Sequence, residues 1–457
     1  MKETKKFGVI SLGCDKNRVD SEKCISMMQN AGYTLTSDAQ KAQIVIINTC
    51  AFLQSAREES VDTVLETAGY KSGNLEKIVV TGCLPQKFSK ELFSSLSEGD
   101  IFLGVNDYDL LPSAIKKSYE TGERINLVGK GSDTFRFART LTTAPYLAYL
   151  KIADGCYNHC TYCLIPKIRG RYRSYPAENL IEEARNLGEV KELVLVAQDT
   201  TRYGEDLYGE NRFPQLIREL SGLDNIKKIR LLYCYPDAFS SELISEIKTN
   251  DKVLKYVDIP LQHSENRILK LMNRRGTREE YLALIRRLKE EIPGIAIRST
   301  FISGFPSETE EEFNAMRAFI KEARLFNCGF FAYSKEPETA AAKMKNQVHY
   351  KTKRRRVRQL YETQSAVAQS ILLSYVGKTV RVLCEGVDYE RGQFFGRPYF
   401  FAPEIDGKVY FNANEATEGE EYDVLILSAA FPDLTGRTED YKRRTEDYKR
   451  KKGEAEE

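Results

Sequence analysis

The sequence predicts an α/β protein in three parts: a parallel α/β domain, a partial (β/α)6 barrel and a small C-terminal β-barrel. Three observations predict it. Apolar β-branched runs alternate with helix-like segments over the first third and again over the middle. Two trios of cysteines follow such runs, and past residue 376 the pattern changes to short strands between Gly and acidic turns. The length, 457 residues, is about three times that of an average domain and has room for all three parts.

The first third repeats one unit. "FGVISLGC", "AQIVIINTC" and "EKIVVTGC" are each an apolar run ending directly in Cys, with helix-like segments at 20–31 and 53–69 between them. Parallel strands end on one edge of a sheet, where α/β folds hold their ligands, so Cys14, Cys50 and Cys83 are expected to converge. The plainer alternative is three buried thiols at strand ends. A linker is expected over 131–145.

From 146 the alternation resumes with "YLAYLKIAD", "ELVLVAQD", "KKIRLLYCYP", "YVDIPLQ", "IAIRSTFISGFP" and "NCGFFAYS". Helices are expected between them at 177–188, 213–222, 239–249, 265–290 and 308–325. Six such units over roughly 190 residues suggest an incompletely closed barrel with its chemistry at the carboxyl ends of the strands. One long helix is expected over 350–374, opening on the basic run "KTKRRRVR". Short strands over 376–434 follow, and the tail repeats a charged heptad, "RTEDYKRRTEDYKR", with no apolar stripe. The boundaries expected are 1–140, 141–375 for the barrel plus connecting helix, 376–437 for the β-barrel and 438–457 for the tail.

Composition excludes several classes. The formal charge of +2 predicts no nucleic-acid partner for the chain as a whole. The start "MKETKKFGVISLGC" has too short an apolar run for a secretory signal, and no run of 18 apolar residues suggests a membrane span. Ten cysteines in such a chain read as reduced ligands or buried thiols, and the expected compartment is the cytoplasm. Three histidines leave no His-rich zinc site, and Ser–His–Asp chemistry would depend on His159, His263 or His349. "YVGKTV" at 375–380 lacks the Gly a P-loop needs at 372, which is Leu.

"DGCYNHCTYC" (154–163) directly follows the first barrel strand and holds three thiols, Cys156, Cys160 and Cys163, with no fourth nearby. Structural zinc takes four ligands, usually two pairs, and a redox pair takes two. A four-iron cluster held by three cysteines keeps one iron open to a substrate or cofactor. Zinc with an outside fourth ligand is the rival reading. Tyr157 and Tyr162 are placed to shield such a centre from water, His159 reads as a surface residue, and Cys24, Cys234, Cys328 and Cys384 read as buried small hydrophobes.

The C-x3-C-x2-C spacing after a first barrel strand resembles the radical S-adenosylmethionine superfamily. Within it, "SLGCDKNRVDSE" (11–22), "INTCAF" (47–52), "VTGCLPQ" (80–86), "AQDTTRYG" (197–204), "FISGFPSET" (301–309) and "FAYSKEPETAAA" (331–342) resemble the methylthiotransferase family. The Lys16-Asn17 and Val19-Asp20-Ser21-Glu22 version is similar to the branch acting on ribosomal protein S-twelve, not the tRNA branch. The last domain resembles TRAM, an OB-like barrel. Tyr157, where the family usually has Asn, and the repeated tail depart from the pattern.

The resemblance implies an enzyme with two [4Fe-4S] clusters and S-adenosylmethionine. Cys156, Cys160 and Cys163 would hold the cluster that cleaves S-adenosylmethionine to a 5′-deoxyadenosyl radical; Cys14, Cys50 and Cys83 would hold an auxiliary cluster that carries the sulfur. The radical would take hydrogen from the β-carbon of an aspartate of S-twelve, an unactivated position that leaves the hard step to the cofactor. Gly304 reads as a tight turn that the resemblance brings close to S-adenosylmethionine, and Gln198, Gln262 and Arg298, at strand ends, either meet its polar parts or make ordinary hydrogen bonds at the barrel top. The partners implied are S-twelve, free or in the small subunit, and a reducing electron donor. Between 376 and 437 six basic residues face eleven acidic ones, a net of −5, which suits a basic ribosomal protein better than RNA. "KTKRRRVR" leaves an incidental rRNA contact open beside the reading as a solvated helix face. The rivals are tRNA methylthiolation by the same chemistry and a non-catalytic metal-binding interaction protein.

Overall fold

The structure is a computed structural model describing residues 4–132 and 138–441. The chain divides into two compact units, Met1–Ile226 with Ser334–Lys343, and Lys227–Tyr333 with Met344–Glu457. Part of the expected linker, 133–137, and the repeated tail beyond 441 lie outside the described residues. Among the described residues no helix is long and apolar enough to cross a membrane.

The first sheet contains β1 (Lys6–Ser11), β2 (Thr34–Leu35), β3 (Ile44–Thr49), β4 (Lys77–Gly82), β5 (Ile101–Phe102) and β6 (Ile125–Asn126), in the order β2-β1-β3-β4-β5-β6. Its strands pair in parallel throughout the described residues. β3 is buried at all six positions because helices cover both faces, which is why it reads as a continuous apolar run. Val45 and Ile47 point into a core with Val64 and Leu92 of the 54–68 and 83–95 helices. Ile44 and Ile46 point the other way, against Ile25 and Met28 of the 15–30 helix and Ile115 of the 111–121 helix.

The second sheet is built from β7 (Leu147–Lys151), then, after a two-strand collar of β8 (Ala153–Asp154) and β9 (Arg173–Ser174), from β10 (Val190–Val196), β11 (Ile226–Leu231), β12 (Val253–Asp258), β13 (Ala296–Ser303) and β14 (Asn327–Ala332). Its order is β14-β13-β12-β11-β10-β7, with β7 and β14 as its edges, which makes it a partial barrel. The helix expected over 265–290 is two, Asn266–Leu271 and Arg278–Glu291. Asn273 and Gly276 turn left-handed between them, and Thr277 restarts the helix through a capping box with Glu280.

The 350–373 helix buries Arg356, Leu360, Thr363, Gln364, Val367, Ala368 and Leu372, a stripe at three- and four-residue spacing. Arg356, one turn before Leu360, therefore lies on the buried face and not on a solvated one. Its guanidinium holds Glu308 Oε1 at 2.7 Å and Glu310 Oε2 at 3.0 Å. Beyond it, β15 (Thr379–Asp388), β16 (Gln393–Arg397), β17 (Val409–Asn412), β18 (Glu421–Ala430) and β19 (Asp433–Thr438) close a five-stranded barrel around Val382, Val409, Phe411, Val424, Ile426 and Leu434.

Candidate active site

The strand-end trio is assembled by neighbouring strands. Cys14, Cys50 and Cys83 follow β1, β3 and β4, which pair side by side in the first unit. Cys14 caps the 15–30 helix and Cys83 opens the 83–95 helix, so both stand at helix N-termini. The Cys50 sulfur packs against Gly13, 3.2 Å from where a Cβ on that residue would stand. Gly82 turns β4 into the Cys83 helix at φ +96°, and a Cβ there would meet Asn48 Oδ1 at 2.3 Å, so no side chain fits before Cys83. Burial pushes the Cys83 thiol up to about 11, with the charge of Arg169 pulling it back down, and both Cys14 and Cys50 act on it as like charges. Burial also raises Cys50.

Asn17 stands at the centre of this trio. Its Nδ2 donates to Leu12 O at 2.9 Å and Thr49 O at 3.1 Å, the carbonyls just ahead of Gly13-Cys14 and of Cys50. Its Oδ1 lies 3.9 Å from the Cys83 sulfur and accepts from Arg169 Nη2 at 2.5 Å.

The loop trio comes from one short segment of the same unit. Gly155, φ +76°, makes the turn out of β8; a Cβ there would fall 2.1 Å from Arg171 O. The Cys156 N–H donates to Gly170 O and the Cys163 N–H to Cys160 O. Two sulfurs accept backbone donors: Cys156 from the Asn158 N–H and Cys163 from the Ile165 N–H, each at 3.4 Å. Asn158 Nδ2 reaches the Cys156 sulfur at 3.5 Å and Asp199 Oδ2 at 2.9 Å. Burial pushes the Cys156 thiol up to about 11, and the Asn158 N–H works against it. Donors aimed at sulfur are what an iron–sulfur ligand set uses to tune its centre. Tyr157 is 45% exposed with its ring against Tyr172, so it covers one side of the loop only. His159 is exposed, in a left-handed turn.

Gln198, past the end of β10, donates to Asp154 Oδ1 at 3.1 Å, while its Oε1 is buried without a hydrogen-bond partner. That orphaned acceptor suits a ligand's donor. In the second unit, Gln262 takes φ +72° and bridges to β13, its N–H donating to Thr300 O. Gly304 has φ +75°, and what approaches it is the Lys353 stem, 2.3 Å from where a Cβ would stand. The Gly304 N–H donates to Glu308 Oε2 at 2.8 Å, and Arg356 holds the other oxygen of that carboxylate. Arg298 is not at a strand end. It is third of eight in β13, and its guanidinium lies 3.0 Å from Asp258 and 3.7 Å from Asp406, because the acidic side chains there claim it.

Asn158, Asp154 and Arg169 had no sequence signal beyond their closeness to the cysteine motifs, and Asn17 had one only as part of the Lys16-Asn17 resemblance. Arg356 had one: the apolar stripe of its helix, extended back one turn from Leu360, ends on it. Cys24, Cys234, Cys328 and Cys384 are buried, as small hydrophobes would be. Among the described residues no three His, Cys, Asp or Glu side chains converge tightly enough to hold a single metal ion.

Three families match consecutive parts of the chain: "Uncharacterized protein family UPF0004" over residues 6–104, "Radical SAM superfamily" over 150–320 and "TRAM domain" over 376–438. Among solved structures, the radical S-adenosylmethionine methyltransferase TsrM from Kitasatospora setae superposes with a TM-score of 0.56 at 13% identity, covering 74% of this chain and 77% of that one, a likeness of fold. The ribosomal protein uS12 methylthiotransferase RimO of Clostridium tetani is 45% identical over 94% of this chain and 97% of its own length. That of Lachnoclostridium phytofermentans is 45% identical over 95% and 100%. Identity at that level across both cysteine trios, the barrel and the C-terminal domain leaves one conclusion: the chain belongs to the RimO family of ribosomal protein uS12 methylthiotransferases.

Proposed function

We infer that this protein is a radical S-adenosylmethionine methylthiotransferase that attaches a methylthio group to ribosomal protein uS12, at the β-carbon of an aspartate. The observation that carries the reading is the presence of two separate cysteine trios, each with its own glycine turn, in a chain 45% identical to RimO proteins throughout. The assignments are two [4Fe-4S] clusters, one on Cys156, Cys160 and Cys163, the other on Cys14, Cys50 and Cys83. When bound, the clusters and S-adenosylmethionine supply the radical and the transferable sulfur.

The chain's own residues do the rest. The N–H groups of Asn158 and Ile165 donate to two of the loop sulfurs, contacts that would tune a cluster held there. Gln198 offers its unpartnered Oε1 to an S-adenosylmethionine donor, and the Asp154 carboxylate fixes its orientation. In the second unit, Gln262 and the Gly304 turn are proposed for the same cofactor, the turn being braced by Glu308. Arg298 is proposed for that cofactor too, with Asp258 and Asp406 holding its guanidinium in place. The tasks map onto modules 1–140, 141–375 and 376–437, with 438–457 as a charged tail. The reaction needs an external electron donor and meets its ribosomal substrate in the cytoplasm.

Net charge favours a protein substrate over tRNA. The C-terminal domain's −5 repels phosphate and attracts a basic protein. Mass spectrometry of uS12 from cells with and without the gene tests the reading: a methylthio-sized mass on one aspartate must vanish on deletion. Loss of a methylthiolated tRNA nucleoside with uS12 unchanged would establish the tRNA alternative instead. Iron and sulfide at about eight each per chain in anaerobically purified protein would exclude zinc in both trios.

A further inference from the structure

One buried cluster of charges enters the reading above only through Asp154. Arg169, 2% exposed, donates through Nη1 to Asp20 Oδ2 and to Asp154 Oδ2, both at 2.9 Å, and through Nη2 to Asn17 Oδ1 at 2.5 Å. Lys151 pairs with the same two carboxylates, Asp20 and, at 3.1 Å, Asp154. All of these residues belong to the first unit and all are less than a tenth exposed. Two cations and two carboxylates leave the cluster neutral.

Its ends are specific. At one end is Asn17, whose amide touches the backbone beside Cys14 and beside Cys50 and whose oxygen faces the Cys83 sulfur. At the other is Asp154, whose Oδ1 accepts the Gly155 N–H at 2.9 Å, one residue before Cys156, and the Gln198 amide. Arg169 spans both. Its planar fork places one arm on Asn17 and the other on Asp20 and Asp154, a geometry that an ammonium cannot copy. Stability does not explain the arrangement, because a buried ion network is often no more stabilising than apolar side chains of the same volume.

We propose that Arg169 is a positioning residue that locks the strand-end trio to the loop trio at a fixed separation and supplies the positive charge felt by the strand-end sulfurs. The proposal rests on the assignment of an iron–sulfur centre to each trio. Asp20 and Asp154 keep that charge in place, and Asn17 transmits its position to three separate strand ends. A guanidinium keeps its charge at any working pH, and here both carboxylates pair with it directly.

The test uses full-length enzyme reconstituted anaerobically, with two variants. Arg169→Lys keeps the charge and loses the fork. Arg169→Met with Asp20→Asn removes one charge of each sign, so Lys151 and Asp154 remain balanced and the fold is spared an unpaired ion. Electron paramagnetic resonance during a redox titration reads both midpoints and the magnetic coupling of the two reduced centres. In the double variant the strand-end centre should become about tenfold harder to reduce at a fixed potential, 59 mV for one electron, with a smaller shift at the loop centre. Arg169→Lys should keep the midpoint within a threefold change and weaken the coupling. A reference enzyme with iron for one centre alone sinks the two-centre assignment and the proposal with it. Two centres whose midpoints and coupling are the same in all three proteins sink the proposal alone. If the double variant does not fold, unchanged coupling in Arg169→Lys is sufficient to overturn it.

Discussion

The two cysteine trios offer the same three thiols by opposite routes. Cys14, Cys50 and Cys83 are 36 and 33 residues apart and meet only because β1, β3 and β4 pair in register. Cys156, Cys160 and Cys163 sit in eight consecutive residues, and the N–H groups of Asn158 within them and of Ile165 just past them already point at two of the sulfurs. The first site is a property of a folded sheet; the second is close to a property of a loop. Anything that loosens the sheet should therefore empty the first before the second, and distant strands can build a site as definite as a local motif.

The sharpest way to separate them is to remove each. Replacing Cys156, Cys160 and Cys163 with Ala should halve the iron and abolish S-adenosylmethionine cleavage. Replacing Cys14, Cys50 and Cys83 should also halve the iron, yet leave 5′-deoxyadenosine formation intact while uS12 goes unmodified. If the second variant still methylthiolates uS12, the division of labour is wrong.

The glycine turns break the comparison more gently. Gly82→Ala forces a Cβ to 2.3 Å from Asn48 Oδ1 at a positive φ, so it should cost about 1–3 kcal/mol and release iron from the strand-end trio. Gly155→Ala, with its clash at Arg171 O, should strip the loop trio instead. Thermal melts alongside iron assays and cleavage rates read both. Equal loss of cleavage in the two variants would show that the sites do not assemble independently. Smaller still is Asn158→Ala: the backbone donor to Cys156 remains, while the side-chain links to the Cys156 sulfur and to Asp199 are lost. Cleavage should slow several-fold at unchanged iron content.

Two predictions reach beyond the trios. Glu418 and Glu420 are exposed, whereas Glu421 is committed to Arg381 at 3.3 Å, so charge reversal belongs at the first two. Their replacement by Lys should slow uS12 association severalfold at low ionic strength, with the difference fading in salt, as stopped-flow binding would record. The least effect is expected from ending the chain after Tyr441, which spares Thr438 in β19: melting temperature and turnover should barely move.

Much of this was legible in the residues. The apolar runs ending in Cys marked β1, β3 and β4, because strands buried on both faces carry no polar alternation to confuse the reading. The two-residue strands β2, β5 and β6 were not visible, since so short a run carries no period. The break at 272–277 was missed although Gly276 and the Thr277–Glu280 pair announce it, because helical spacing continues on both sides. Arg298 was expected at a strand end although the run "IAIRSTFISGFP" continues well past it, and it is the third of eight residues in β13. The Arg169 network was out of reach. Its members lie up to 152 positions apart, and no local pattern distinguishes a charge that will be buried from one that will not.

Ser334–Lys343 belongs to the first unit, while the chain on either side of it belongs to the second. The Ala341 N–H donates to Thr161 O inside the three-thiol loop, Lys167 reaches Glu338, and Arg57 pairs with Glu336 at 2.6 Å. Spatial order is thus not genetic order, and a gene cut at any single point yields at least one incomplete unit. During synthesis the loop emerges first and waits for its clasp while roughly 180 further residues are made, which at ordinary elongation rates is about ten to forty seconds.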